Sequence, residues 1–305
     1  MAKPVIRFGI MADVHQDLMF NAEKRLQEFI LRMNAERVDF IIQLGDFCHP
    51  IPENGSFLSI WNEFNGPRYH VLGNHDMDKN DKKTVMSFIG MDRSYYSFDR
   101  GPYHFVVLDA NYIKLEDREI DYEFGNYVRH PGHIDHISAE QLEWLGQDLA
   151  GTNKPTFIFS HQNLDDSELG IKNGEQVRAI LRTANEAAGF RKVVACLNGH
   201  NHLDGVKVID DIYYIHINSM SYYYMGPTFN VIRYSEALTR KYPILAQSAP
   251  YEDPLYAIVT LEPGLLTIEG KESGFVGPAP IDCGHVNTAG GHRVTANISR
   301  RQLKY

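Results

Sequence analysis

Five short stretches of the 305-residue chain place metal-seeking side chains directly after apolar runs: Asp13-Val14-His15, Gly45-Asp46, Gly73-Asn74-His75-Asp76, Ser160-His161 and Gly199-His200-Asn201-His202. Any one of them is a weak motif, but five in order at the ends of predicted strands form a set. The donors are carboxylate oxygen, amide oxygen and imidazole nitrogen, with no thiolate, which suits a borderline cation such as Mn, Fe or Zn. They are too numerous for one ion and predict two. A carboxylate can bridge two cations and a neutral imidazole cannot, so the bridge is Asp46 or Asp13. Asn74 offers a neutral carbonyl oxygen, and His15, His161, His200 and His202 complete the two shells. Ions paired roughly 3.5–4 Å apart serve phosphatases, nucleases and aminopeptidases, where the attacking and leaving oxygens both need their charge stabilised.

On these residues the chain resembles the calcineurin-like metallophosphoesterases, whose pattern is Asp-x-His, Gly-Asp, Gly-Asn-His-Asp/Glu, a lone His and Gly-His-x-His. The resemblance runs from Asp13 to His202 with every motif position filled. It implies one metal on Asp13, His15, Asp46 and His202 and a second on Asp46, Asn74, His161 and His200, with Asp46 bridging. It leaves His75 free of metal to meet the leaving group. Purple acid phosphatases look similar but carry a tyrosine three residues after the Gly-Asp aspartate; here that position is His49, so a ferric tyrosinate site is not expected.

The chemistry implied is hydrolysis of a phosphate ester by a metal-activated hydroxide. An alkoxide leaving group needs a proton, and a histidine with a pKa near 6.5 supplies one at neutral pH. His75 is the expected donor, with Asp76 beside it to fix its orientation and raise its pKa. Small phosphodiesters or nucleotides are the expected substrates. The alternative is a phosphomonoesterase, including a Ser/Thr protein phosphatase. A binding scaffold without catalysis should have lost ligands or the leaving-group histidine, and this chain keeps both.

The elements that must deliver these residues alternate. Val5–Met11, Val38–Leu44, Tyr69–Leu72, Phe105–Leu108, Thr156–Phe159, Val193–Leu197 and Ile212–Ile217 are short apolar runs that predict buried strands. Between the first two, Leu26, Phe29, Ile30 and Met33 share one face of a helix over 21–34. Ser138 with Gln141 opens a second helix, and Asn173 with Gln176 opens a third that Gly189 closes. The class is therefore α/β or mixed α+β. Ligands that follow neighbouring strands arrive at one sheet edge, where open α/β sheets bind ligands. The family resemblance implies more, a two-sheet β-sandwich core flanked by helices.

The segment 111–137 interrupts the rhythm with Glu116, Asp117, Glu119, Asp121 and Glu123, then His130, His133 and His136. It reads as a lid over the site or as a solvated acidic insertion, and the histidine trio as a further metal site only at odd spacing. The tyrosines of 219–229 are candidates to line a pocket or simply to pack. Residues 1–240 are read as the catalytic domain, and 241–305 as C-terminal strands and a tail that complete or append to it.

A formal net charge of −9 argues against long nucleic acid as a partner, because phosphate contacts need a basic face. Two divalent ions, two carboxylates and a hydroxide leave the centre itself at about +1, which still attracts a small phosphate ester. There is no run of apolar residues long enough for a membrane span and no visible secretory leader. Three widely spaced cysteines read as reduced thiols, so a cytoplasmic location is expected, as it would be for an exported protein deprived of its leader.

Overall fold

The computed structural model describes residues 5–305. Two six-stranded sheets form its centre. In the first, Ile6–Met11, Phe40–Gln43 and Arg68–His70 run parallel, and Ala257–Glu262, Leu265–Glu269 and Arg301–Lys304 extend it antiparallel from the free side of Ile6–Met11. In the second, Tyr103–Val107, Thr156–Ser160, Val193–Asn198 and Ile212–His216 run parallel, with Tyr96–Arg100 and Gly205–Ile209 antiparallel at the edges. Strands covered on both faces explain the near-continuous apolar runs in the sequence. The two-sheet core flanked by helices is thus the observed architecture.

The sheets pack face to face through aromatic side chains. Phe8 stacks on Phe40 with ring centroids 4.7 Å apart, and Phe105 and Phe159 meet Phe8 edge-on at 6.0 and 5.8 Å. Such pairs contribute about 0.5–1.5 kcal/mol beyond simple area burial. Helices Ala22–Glu36, Gly55–Asn62 and Lys82–Ile89 cover the outer face of the first sheet, the first of them through Leu26, Phe29, Ile30 and Met33 as its periodicity predicts. Helices Ala139–Ala150 and Gly174–Ala188 cover the second, with Leu145, Leu149, Val177 and Leu181 against Val106, Ile158 and Cys196. Among the described residues no helix is long and apolar enough to cross a membrane.

Local signals were of uneven value. Ser138 does cap its helix, accepting from the Gln141 N–H at 3.2 Å. Asn173 does not cap the next one: its amide spans Ile137 instead, accepting from that residue's N–H at 3.1 Å and donating to its carbonyl at 2.8 Å. A tertiary partner outcompeted the local one. The eight-residue helices at 55–62 and 82–89 went unannounced because they are too short to display a repeating apolar stripe.

His104, the second residue of its strand, sits between two carboxylates, with Nδ1 2.7 Å from Asp99 and Nε2 2.8 Å from Asp148 of the helix behind. Burial alone would lower its pKa, but Asp148 and Asp99 outweigh burial and raise it. A group whose folded pKa lies above its unfolded value of about 6.5 stabilises most below that pH, and the contribution fades as pH rises through the folded value. His104→Gln should therefore cost thermal stability at acid to neutral pH and progressively less in alkali. Melting curves of the two proteins across that range check this; a constant difference would refute it.

Candidate metal centre

The parallel strands of both sheets end on the same side of the sandwich, and the expected ligands sit there. Asp13 and His15 follow Ile6–Met11, Asp46 follows Phe40–Gln43, and Asn74 follows Arg68–His70. From the second sheet, His161 directly follows Thr156–Ser160, and His200 and His202 follow Val193–Asn198. Backbone hydrogen bonds lock these turns to one another: Asp13 N–H to the Gly45 carbonyl at 3.1 Å, His15 N–H to the Asp46 carbonyl at 3.0 Å, and Gly199 N–H to the His161 carbonyl at 3.1 Å.

The turns are strained. Asp13, His15, Asp46, His200 and His202 all have left-handed φ, between 51° and 67°. This conformation costs about 1–3 kcal/mol per non-glycine residue and persists where the surroundings over-determine it. Glycines let the turns meet. A Cβ on Gly73 would stand 2.1 Å from the Asp46 nitrogen, and one on Gly199 would stand 2.6 Å from Asp13 Oδ2. The motif glycines are thus explained by close approach.

Two clusters of donors result. Asp13, His15 and His202 form one and Asp46, His161 and His200 the other, with the donor atoms of each within 4.8 Å of one another. His15 Nε2 lies 3.2 Å from His202 Nε2. Asp46 Oδ2 lies 3.3 Å from His161 Nε2 and 3.7 Å from His15 Nε2, so this one carboxylate faces both clusters. Asn74 Oδ1 is 3.1 Å from His161 Nε2. The outer ring nitrogens face carbonyls, His161 Nδ1 that of Leu44 at 2.7 Å and His202 Nδ1 that of Tyr222 at 2.6 Å. Donating there leaves Nε2 with a free lone pair, the tautomer that metal-binding imidazoles adopt. Asp13 and Asp46 are 0% and 3% exposed. Buried carboxylates and convergent imidazole lone pairs are a donor set that fits divalent cations.

Without cations the titrations are pulled far apart. Burial pushes His15 down to about 3 and His200 down to about 4. Burial also opposes protonation of His161, yet Asp46 and Asp13 more than offset it and lift that ring to about 10.

His75 stands in neither cluster. Its N–H donates to Asp46 Oδ1 at 2.8 Å, and its ring lies 5.5 Å from that of His15, at the edge of the cleft. The expectation that Asp76 orients His75 does not hold. Asp76 is 1% exposed and turned inward, accepting from the N–H groups of Phe47, Cys48 and Gly73 at 2.7, 3.2 and 2.8 Å. It braces the two loops that carry Asp46 and Asn74. The carboxylate that reaches His75 belongs to Asp78, with Oδ2 2.9 Å from Nδ1. On a tight 3₁₀ turn the residue three positions along, not the next one, shares a face. Burial lowers the His75 pKa, but Asp46 and Asp78 outweigh it and raise it to about 9.

The centre floors a cleft of about 410 Å³, walled by Leu18, Leu169, Leu203, Ile244, Ala289 and Tyr222–Tyr224. All three tyrosines that were pocket candidates line it. Tyr222 stacks on His15 with centroids 5.1 Å apart. A third cluster, Asp165, His216 and His292, lies behind this wall. Here His216 Nε2 meets Asp165 at 3.1 Å, but its Nδ1 faces the Asn198 amide N–H at 3.4 Å rather than a carbonyl. That arrangement favours a protonated Nε2 donating to Asp165. The cluster ties the loop bearing Leu169 to the hairpin bearing Ala289. Among the described residues the trio His130, His133 and His136 gathers no metal-ligand cluster; His133 and His136 face backbone carbonyls of Lys114 and Ile134.

A family model for the calcineurin-like phosphoesterases matches residues 6–204. The chain belongs to that family. It is a metal-dependent hydrolase of phosphate esters. Two plant proteins named manganese-dependent ADP-ribose/CDP-alcohol diphosphatase are similar to it. That of Oryza sativa subsp. japonica is 26% identical over 266 residues, 68% of this chain and 80% of the relative, and that of Arabidopsis thaliana is 23% identical over 278 residues, 72% and 86%. Among solved structures, a dimetal phosphatase from Danio rerio superposes with a TM-score of 0.64 at 19% identity, covering 90% of this phosphoesterase and 99% of that chain.

Since a Gly73 Cβ would collide with Asp46, Gly73→Ala should displace the shared carboxylate. Misplacement by about 1 Å costs on the order of 10²-fold in rate. Elemental analysis should show reduced metal, and an unaltered metal content and rate would contradict this account of the glycine.

Proposed function

We propose that this phosphoesterase hydrolyses small diphosphate and phosphodiester compounds of nucleotides, of the ADP-ribose and CDP-alcohol kind, with manganese as the working metal. The observation that carries the reading is the single Asp46 carboxylate facing two buried donor clusters beside a histidine that belongs to neither. The plant relatives' named activity supports both the substrate class and the metal, and the cleft volume of about 410 Å³ suits a nucleotide-sized ligand.

In this reading Asp13, His15, Asp46 and His202 hold one ion and Asp46, Asn74, His161 and His200 the other. When bound, such a pair lowers the pKa of water to about 7 and offsets the charge that grows on the phosphate oxygens. His75 turns Nδ1 toward Asp78, which leaves Nε2 as the nitrogen available to the leaving oxygen. Asp78 at Nδ1 favours the protonated ring, so His75 carries a proton for the leaving oxygen, needed most where a diester expels an alkoxide and least where a diphosphate expels a phosphate. Tyr222–Tyr224 offer aromatic faces for the base or alcohol half of the substrate. The free state of Cys48, Cys196 and Cys283 supports a cytoplasmic location.

Supplied with Mn, the protein should cleave ADP-ribose, CDP-choline and bis(p-nitrophenyl) phosphate in preference to p-nitrophenyl phosphate, and chelation should stop all of these reactions. Faster turnover of the monoester would overturn the substrate assignment. On a diester with an alkoxide leaving group, His75→Ala should lower kcat by about 10²–10⁴ while bound metal stays unchanged. A normal rate in that variant would remove His75 from the mechanism.

A further inference from the structure

The 111–137 insertion is neither a free acidic loop nor a detached cover. Tyr112–Lys114 and Glu119–Asp121 form a hairpin, and Asn126–Arg129 a 3₁₀ turn that lies against the active-site loops. Lys82, itself buried, fastens the base by bonding Asp109 and Asp121 at 2.7 Å each and the Asn111 carbonyl at 3.1 Å. Tyr122 is fully buried, with its hydroxyl donating to Asp135 at 2.9 Å. Its ring stacks at 4.9 Å on that of Tyr127, which fixes where the Tyr127 hydroxyl points.

That hydroxyl points at the proton donor. It donates to Asp78 Oδ1 at 2.5 Å, and its oxygen lies 3.2 Å from His75 Nδ1. The other Asp78 oxygen is the one that meets His75 Nδ1 at 2.9 Å and stands 3.9 Å from His49. We propose that the insertion supplies Tyr127 as a positioning residue, which clamps the Asp78 carboxylate edge-on to His75 and so aims His75 Nε2 at the leaving oxygen. The inference rests on the assignment of His75 to the leaving group. The clamp works by geometry. An Asp78 held at Oδ1 cannot rotate about its terminal bond, so its Oδ2 stays in the plane where Nδ1–H donates. A donor that wanders loses rate in proportion to how much the leaving oxygen needs the proton. Tyr127 therefore matters for basic leaving groups and little for acidic ones.

The test uses the full-length Mn-loaded protein and a series of methyl aryl phosphates whose leaving groups run from dinitrophenoxide to phenoxide. Tyr127→Phe keeps the stack on Tyr122 and removes only the hydroxyl. It should lower kcat on the phenyl ester about tenfold, a fraction of what a whole proton donor is worth, leave KM and bound metal unchanged, and spare the dinitrophenyl ester. The plot of log kcat against leaving-group pKa should steepen. Asp78→Asn should steepen it further. In a His75→Ala background Tyr127→Phe should have no additional effect. An equal loss across all leaving groups, or a loss that persists without His75, would show that Tyr127 only packs the insertion and would overturn the proposal. No effect of His75→Ala on the phenyl ester would instead sink the assignment beneath it.

Discussion

Everything in this molecule is arranged around one electrostatic problem, the burial of carboxylates and imidazoles whose donor atoms all face the same point. His15 Nε2 and His202 Nε2 stand 3.2 Å apart, and Asp46 Oδ2 faces rings on both sides. A proton on one ring serves a single neighbour, as between His15 Nε2 and His202 Nε2, and leaves the other convergent lone pairs facing one another. Divalent cations resolve it by accepting lone pairs from every side. The folded chain therefore holds donors in place against their own desolvation, and against left-handed backbone at five ligand positions. That strain is sustained by the sandwich beneath it, whose aromatic core fixes the strand ends.

A sandwich of two partly parallel sheets is well suited to this task. Each parallel strand ends in a turn whose backbone bonds that of its neighbour, and when two such sheets pack face to face their strand ends form a ring. The first sheet supplies the carboxylates and Asn74, and the second supplies His161, His200 and His202. Ions held there would bond the sheets together at their functional edge, while Phe8, Phe40, Phe105 and Phe159 join them through the middle. Fold and site are stabilised by the same convergence.

Outside the ring of ligands, later parts of the chain build the substrate cleft and steer His75. Tyr222 presses on His15, the hairpin near Ala289 closes one wall, and the insertion brings Tyr127 to Asp78. These segments are held by buried polar contacts such as Lys82 with Asp109 and Asp165 with His216.

What the sequence by itself determined is the donor set and its placement after strands. Asp13, His15, Asp46, Asn74, His161, His200 and His202 were legible because metal ligation demands particular residue types, and because buried strands advertise themselves as apolar runs ending just before those residues. The layered class followed from the same alternation. The partner of His75 was not legible: adjacency suggested Asp76, and the 3₁₀ turn brought Asp78 instead while burying Asp76 under three backbone N–H groups. Tyr127 carried no signal at all, since its hydroxyl reaches Asp78 from 49 residues away. Local chemistry is written in residue type and spacing, whereas which side chain orients another across a long loop is decided only when the chain closes on itself.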